Sequence, residues 1–479
     1  MIAPRRFFPI NEASLACVVV LLCGALHQLY ARETVNDVTM LNPIVVAKVE
    51  IPTTLGEIVS AIKRTPGPIS IGGSRHSQGG QISEENSLHL DMRKFNRVVA
   101  FDPKGKTITV ESGITWRDIQ ELIDPYNLSV MIMQTYSNFT VGGSLSVNCH
   151  GRYVGAGPII LSVRRIQIVL PDGSVVEASP QKNSNIFDGA LGVITEATLQ
   201  LVDNTKIQRV ADTVPISHYK NYFFEKIRNS PPAVFHNGDL YPPFYNTVRA
   251  VTWNVTDKPV TVLQRLIGRH EDYSVHQRMI WFVSESPFGK LFREFIADPL
   301  IYLGHPIVWR NHEASYDAAE LEPVSRTKST YVLQEYFVPV NQFDAFYPKL
   351  VAILKQHHVN VMNISIRHAR QDPGSLLAWT KTEVFAFVLY YKQGTASRDK
   401  TAVGLWTQEL IDAALSVHGS YYLPYQIHAT DEQFERAYPQ FQKFFALKAS
   451  VDPENKFRNK LWDAYYPKSS PHNKTDQVQ

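Results

Sequence analysis

The chain has 479 residues, enough for two domains sharing an interface, and its 44% hydrophobic and 19% charged residues describe a globular protein with a substantial core. Lys+Arg 48 against Asp+Glu 45 leaves a formal charge of +3 with no basic run or stripe, which removes any electrostatic case for a nucleic-acid partner. Of three cysteines, Cys17 and Cys23 fall in the leader, so the lone Cys149 of the body excludes an internal disulfide and a cysteine-built zinc site there.

Residues 1–32 stand apart. Arg5 and Arg6 precede an apolar run from Leu15 to Leu26, short for crossing a bilayer and suited to the core of a signal peptide. Arg5-Arg6-Phe7-Phe8 also loosely fits the twin-arginine export pattern, although two arginines are equally an ordinary positive n-region. Cleaved signal and retained anchor both remain open. The expectation, for a bacterial source, is an exported, periplasmic or membrane-anchored protein.

From Asn42 to about Val202, short β-branched runs alternate with helical patterns and glycine turns. Val45 to Val49 reads as a strand, Thr54 to Lys63 as an amphipathic helix, and Pro66-Gly67-Pro68 as its break before a strand at Ile69 to Ile71. Lys106 to Glu111 alternates like a half-buried strand and Trp116 to Leu122 like a helix. Val163 to Leu170 and Val175 to Ala178 form a hairpin around Asp172-Gly173, and Gly192 to Leu201 is a further strand. Without a strict βαβ rhythm the class is α+β. From about Asp203 to Leu423 aromatic residues and prolines replace glycines, with strands at Tyr331 to Val338 and Val384 to Tyr390 and a helix at Gln342 to Gln356. His357-His358 is placed on a helix, on the surface. Asp431 to Lys448 reads as one helix stopped by Asp452-Pro453.

Two segments carry chemistry. Ile69-Ser-Ile-Gly-Gly-Ser-Arg-His-Ser-Gln-Gly-Gly80 runs a strand into Gly72, Gly73, Ser74, Arg75, His76 and Ser77, a turn whose successive amides suit an anionic diphosphate. Thr140-Val-Gly-Gly-Ser-Leu-Ser-Val-Asn-Cys-His-Gly151 repeats the device through Thr140, Gly142 and Gly143, with Ser144, Ser146 and Asn148 as side-chain donors and His150 and Gly151 closing it. One glycine pair is weak support, because most are simply turns. Two such loops on one lobe are harder to dismiss.

The order of these loops resembles the FAD-binding domain of the vanillyl-alcohol-oxidase (PCMH-type) flavoproteins. Between them, Val110-Glu-Ser-Gly-Ile-Thr-Trp-Arg-Asp-Ile-Gln-Glu-Leu122 is similar to that family's strand–Gly–Trp–helix element. Val169-Leu-Pro-Asp-Gly-Ser-Val-Val, Gly192-Val-Ile-Thr-Glu-Ala-Thr-Leu199 and Asp452-Pro-Glu-Asn-Lys-Phe-Arg-Asn459 resemble its closing strands and its usual ending. Gln334-Glu-Tyr-Phe-Val-Pro339 and Ile364-Ser-Ile-Arg367 are similar to the cap of the aldonolactone and alditol oxidases, the D-arabinono-1,4-lactone oxidase branch. The resemblance implies a PCMH-type FAD domain over residues 40–205, an α+β cap over 206–424 with an antiparallel sheet, and a C-terminal segment over 425–468 that returns to the FAD domain. Two departures stand out. The stretch Asn185 to Gly192 is several residues short, and Tyr421-Tyr-Leu-Pro-Tyr425 replaces the usual His-Trp pair and following Lys.

What the resemblance implies is FAD held through its diphosphate, with Val193 and Ile194 among the cofactor contacts and His76 where many relatives attach the flavin covalently. A plain hydrogen bond from His76 is the alternative. The reaction is oxidation of a CH–OH carbon on a sugar, polyol or aldonolactone-like substrate, with oxygen or an electron carrier as acceptor. Arg367 is the candidate for holding a hydroxyl or carbonyl, against a surface ion pair; Glu335 is the candidate base, against a solvent-facing strand position; and Tyr425, with Tyr421 and Tyr422, lines the pocket or packs the core. Cys149 reads as a small buried residue, and no metal-ligand constellation stands out. An envelope-bound dehydrogenase of a lipid-linked sugar and a flavin-free carbohydrate-binding relative are the competing readings.

Overall fold

The structure, a computed structural model, describes residues 33–184, 187, 191–229 and 232–466. The leader reading and much of the shortened stretch before Gly192 therefore lie outside the described residues.

The first lobe holds a two-stranded hairpin and two larger sheets. A hairpin of β1 (Glu33–Val35) and β2 (Ile44–Val46) leads into β3 (Lys48–Glu50). The strand expected over Val45 to Val49 is thus two strands, because the Ala47 amide leaves the hairpin to donate to the Ser87 carbonyl at 2.9 Å. Helix α1 (Leu55–Arg64) opens on Thr54, which caps the Glu57 amide while Glu57 reaches back, and it buries Ile58, Ala61 and Ile62. It connects β3 to β4 (Ile69–Gly72), and β5 (Leu88–Asp91) pairs between them in parallel. The second sheet is built from β6 (Val98–Asp102), β7 (Thr107–Glu111), β8 (Leu128–Val130), β9 (Val163–Val169), β10 (Val175–Ala178) and β11 (Val193–Asp203), ordered β10-β9-β11-β7-β6 with β8 on the far half of β11. Helices α2 (Trp116–Ile123) and α3 (Val141–Ser146) lie within this part of the chain.

The second lobe is one eight-stranded sheet. Its strands are β12 (Lys206–Pro215), β13 (Ala233–Leu240), β14 (Thr247–Val255), β15 (Ile307–Trp309), β16 (Ser329–Pro339), β17 (Asn360–Ala369), β18 (Val384–Gly394) and β19 (Ser420–Tyr421), ordered β15-β12-β14-β13-β17-β18-β16-β19. Alternation sorts the residues of its central strands onto two faces. Ile364, Ile366, Phe385, Phe387, Val332 and Val338, fully buried or nearly so, belong to the same core as Phe343, Phe346, Leu350 and Leu354 of the helix Phe343–Gln356. At about 1.5–3 kcal/mol per fully buried large apolar side chain, this face supplies most of the lobe's cohesion. The opposite face presents Leu333, Glu335, Ser365, Arg367 and Val388 to a cavity shared with the first lobe.

Two expectations need correction here. His357 and His358 sit at the end of that helix, as its C-cap and at φ 49°, and His357 pairs with Glu409 at 2.9 Å. The single helix expected from Asp431 to Lys448 is two, Asp431–Ala437 and Phe441–Val451, because Pro439 cannot donate an amide and Tyr438 has already left helical geometry. The chain then returns to the first lobe, where Ile69 donates to the Lys456 carbonyl at 2.7 Å and accepts from Arg458 at 3.0 Å.

Candidate active site

The two glycine loops meet. A Cβ placed on Gly73 would lie 2.1 Å from Thr140 Oγ1, and one on Gly142 would lie 2.7 Å from Ser112 Cβ, so the backbones approach too closely for side chains there. Arg75 holds φ at 62°, a left-handed conformation costly for a non-glycine residue, and is fixed by Asp91 at 3.0 Å. The amides of Arg75, His76 and Ser77 find no acceptor among the described residues, so this turn offers successive free N–H groups. Beside it opens a cavity of about 1000 Å³ that runs along both loops and under the second lobe's sheet.

Most of the sequence-predicted cofactor residues line this cavity: Gly72 to Ser77, Thr140, Gly142, Gly143, Ser146, Asn148, His150 and Ile194. Gly151 and Val193 do not. Gly151 packs against the Met133 carbonyl and the Tyr153 ring, and Val193 is fully buried with Ile58 and Ile69, so both form the wall behind it. The donors proposed on the second loop are largely committed to protein. Ser144 donates to Gln134 and to the Thr140 carbonyl, Ser146 to the Gly142 carbonyl at 2.8 Å, and Asn148 to Asp372 at 2.6 Å. His76 stacks on Phe139 with ring centroids 4.0 Å apart, and burial pushes its imidazole down to about 4, so it is neutral near pH 7. Burial pushes the Cys149 thiol up, which makes it inert as a nucleophile.

At the sheet end of the cavity, Glu335 and His150 face each other across the two lobes. They are only 3% and 5% exposed, and Glu335 Oε1 lies 2.6 Å from His150 Nε2, outside hydrogen-bond alignment, which leaves that oxygen without a hydrogen-bond partner. Burial first, then the charge of nearby Glu335, push the Tyr425 phenol well up, against the opposing pull of Arg367. Arg367 reaches the cavity with its Nε unpartnered. Phe337, Trp379 and Tyr422 pack around His150 at centroid distances of 5.6, 4.8 and 6.0 Å. Tyr422 spends its hydroxyl on the Val147 carbonyl at 2.8 Å, whereas Tyr421 is a core residue whose carbonyl accepts from Tyr438.

Sequence reasoning missed several groups that share the cavity. Asn237 and Asp239 of β13 lie beside Asn363 and Ser365 of β17, with Asp239 accepting from Asn237 at 3.0 Å and from Asn363 at 3.0 Å. The Asn-Ile-Ser-Ile-Arg alternation of 363–367 was the available signal, since it puts three polar residues on one face. Arg152 with Glu313 at 2.9 Å and Tyr136 with Glu320 at 2.8 Å join the lobes on the opposite wall. Among the described residues no group of three His, Cys, Asp or Glu side chains is placed to hold a metal ion.

Residues 43–179 match the FAD binding domain family, and residues 324–465 match the D-arabinono-1,4-lactone oxidase family. Among curated proteins the chain is similar to L-gulonolactone oxidase of Mus musculus, 22% identical over 85% of this chain and 92% of that protein. It is also similar to mitochondrial L-galactono-1,4-lactone dehydrogenase of Arabidopsis thaliana, 26% identical over 39% of this chain and 31% of that one. Among solved structures, cholesterol oxidase from B. sterolicum shares the fold, with TM-score 0.69 at 14% identity over 91% of this chain and 97% of that chain.

The residues present fit FAD. The paired glycines let the two loops close on each other at the cavity edge, the Arg75 to Ser77 amides are free, and the cavity carries unpartnered polar atoms at Arg75 Nε, Ser112 Oγ, Thr135 Oγ1 and Arg367 Nε. Each such buried atom costs about 1–3 kcal/mol until something bonds it.

Proposed function

We propose that this chain, a member of the vanillyl-alcohol-oxidase superfamily of PCMH-type FAD-linked oxidoreductases, oxidises a CH–OH carbon of an aldonolactone, sugar or polyol. The observation that carries the reading is the placement of Glu335, His150, Tyr425 and Arg367 at one end of the cavity that the two glycine loops edge. Bound FAD supplies the two-electron acceptor for the hydrogen leaving carbon. Glu335 takes the proton of the substrate hydroxyl, with His150 2.6 Å away and the Tyr425 phenol beside it. Arg367 fixes a lactone carbonyl or a neighbouring hydroxyl, and Asn237, Asp239 and Ser365 along the sheet bond further oxygens. Aromatic rings of Tyr422, Trp379 and Phe337 close this end against water. The acceptor is oxygen or an electron carrier.

The test is a panel of aldonolactones, polyols and aldoses, following flavin absorbance without oxygen and then in air. Bleaching by at least one hydroxylated compound is expected. A colourless protein that releases no flavin on denaturation would return the carbohydrate-binding reading. His76 is proposed as a single covalent attachment point, its neutral imidazole being a competent nucleophile. Yellow colour should then survive acid precipitation and be lost in His76→Ala. Export or anchoring through residues 1–32 is also proposed, on Arg5, Arg6 and the apolar run from Leu15 to Leu26. Cell fractionation tests it; among the described residues no helix is long and apolar enough to cross a membrane.

A further inference from the structure

The helical run Gly289–Phe292, Arg293–Ala297 and Asp298–Ile301 is built inside out. An ordinary surface helix buries its apolar stripe and shows its charges to water. Here the acids turn inward. Glu294, 6% exposed, accepts from Thr247 at 2.6 Å, and Asp298, 8% exposed, accepts from Tyr241 at 2.6 Å and from Arg293 at 3.3 Å. The large apolar side chains turn outward: Phe288, Phe295, Ile296, Leu300, Ile301 and Leu303 are 50–72% exposed. Phe295 and Ile296 recur as Leu300 and Ile301 four to five residues on, with Phe288 two turns before them and Leu303 just past the end, an outer ridge about 20 Å long at 1.5 Å per residue. Between positions 286 and 303 no exposed residue is charged. Trp281, 54% exposed, extends the ridge from the preceding helix Ser274–Glu285, which packs on the run through Phe282 and Phe292 at 5.6 Å between ring centroids.

We infer that this ridge rests on a phospholipid bilayer, lying in its interface plane without crossing it. The polar groups that make the run's inward face leave apolar surface as the only outward offering, which water disfavours and acyl chains accept. Trp281 belongs to the side-chain class that settles at the headgroup boundary. Exposed Arg278 and half-exposed Lys290, with Glu285, the only exposed acid between 278 and 303, already paired to Lys392, favour anionic headgroups over neutral ones. Ile301 and Tyr302 also rim the large cavity. A fluid lipid surface flanks that rim, whereas a second copy seated on the ridge would cover it. The inference stands apart from the oxidase reading and from residues 1–32.

Flotation of the full chain with phosphatidylcholine vesicles, with and without phosphatidylglycerol, tests it. Phe295→Ser with Leu300→Ser should lower the partition coefficient roughly tenfold or more. Leu405→Ser, which removes an equally exposed leucine elsewhere, should leave it unchanged. Brominated lipids should quench the part of the fluorescence that Trp281→Phe abolishes. Equal binding by all variants would assign any membrane affinity to another segment and overturn the inference, as would an unquenched Trp281. Dimers that the double variant splits, with no vesicle binding, would make the ridge a protein interface and overturn it too.

Discussion

The approach of the two glycine loops makes Gly73→Ala the most exacting perturbation. The added methyl would sit 2.1 Å from Thr140 Oγ1, 3.3 Å from Thr140 Cβ and 3.6 Å from Cγ2. Ordinary contact is about 3.5 Å, so the loops must part by more than about 1 Å. Thr140 is β-branched and 2% exposed, with little freedom to rotate away. Overpacking of this kind costs about 1–3 kcal/mol, and the spreading falls on the turn that would carry the cofactor's diphosphate. Flavin retention is expected to weaken roughly tenfold or more, and the melting temperature to fall. Thr140→Ala removes Oγ1 and Cγ2 and leaves Cβ at 3.3 Å, a tight contact relieved by a shift of a few tenths of an ångström, and loses the weak Ser74 amide contact at 3.4 Å. The double variant should therefore recover most of what Gly73→Ala loses. The measurements are flavin absorbance per protein after gel filtration and thermal unfolding, read as a double-mutant cycle. A Gly73→Ala protein that stays fully yellow at an unchanged melting temperature would refute the reasoning, as would strictly additive losses.

Three further outcomes follow from the same geometry. Glu335→Gln should cut turnover about 10²–10⁴-fold while flavin content stays at the wild-type level, measured by steady-state kinetics on whichever substrate bleaches the flavin. Asn148→Ala removes the 2.6 Å bond to buried Asp372 and should cost about 1–3 kcal/mol in denaturant unfolding without shifting the pH–activity profile. Burial holds His236 down to about 3 and His89 to about 4 in the folded chain. The unfolded chain, near 6.5, binds the protons first, so this stability is complete above about pH 6.5 and is lost as pH falls towards 4, by about 1.4 kcal/mol per unit for each group. His236→Gln should flatten the stability–pH slope by one group's share.

Legibility in the sequence followed range. The glycine turns, the helix after Thr54 and the hairpin at Asp172-Gly173 are written in neighbouring residues, and they appear where the spacing puts them. Glu335, read on a strand among apolar neighbours, and Arg367, read from the family resemblance, both line the cavity. What could not be read were commitments made at long range. Asn148 looked like a free donor until Asp372, 224 residues away, claimed it, and nothing local marks His150 as the partner of Glu335. Val193 and Gly151 were assigned by adjacency to loops whose backs, not fronts, they form. The inside-out run at 289–301 hid for a related reason. Its composition is that of an ordinary amphipathic helix, and only the bonds to Thr247 and Tyr241 tell which side faces in.

The first glycine loop is fastened in part by residues synthesised hundreds of positions later. Gln78 donates its amide to the Pro424 carbonyl and accepts from the Leu333 amide, and Gln81 donates to the Leu423 and Tyr425 carbonyls, while β4 is completed by Lys456 and Arg458. A nascent chain therefore cannot assemble its dinucleotide seat until nearly the whole polypeptide has left the ribosome, so loading comes at the finish of biosynthesis. Should the loaded protein travel across a membrane, it would have to do so already folded, by a route that tolerates a tertiary structure and not by threading an extended strand.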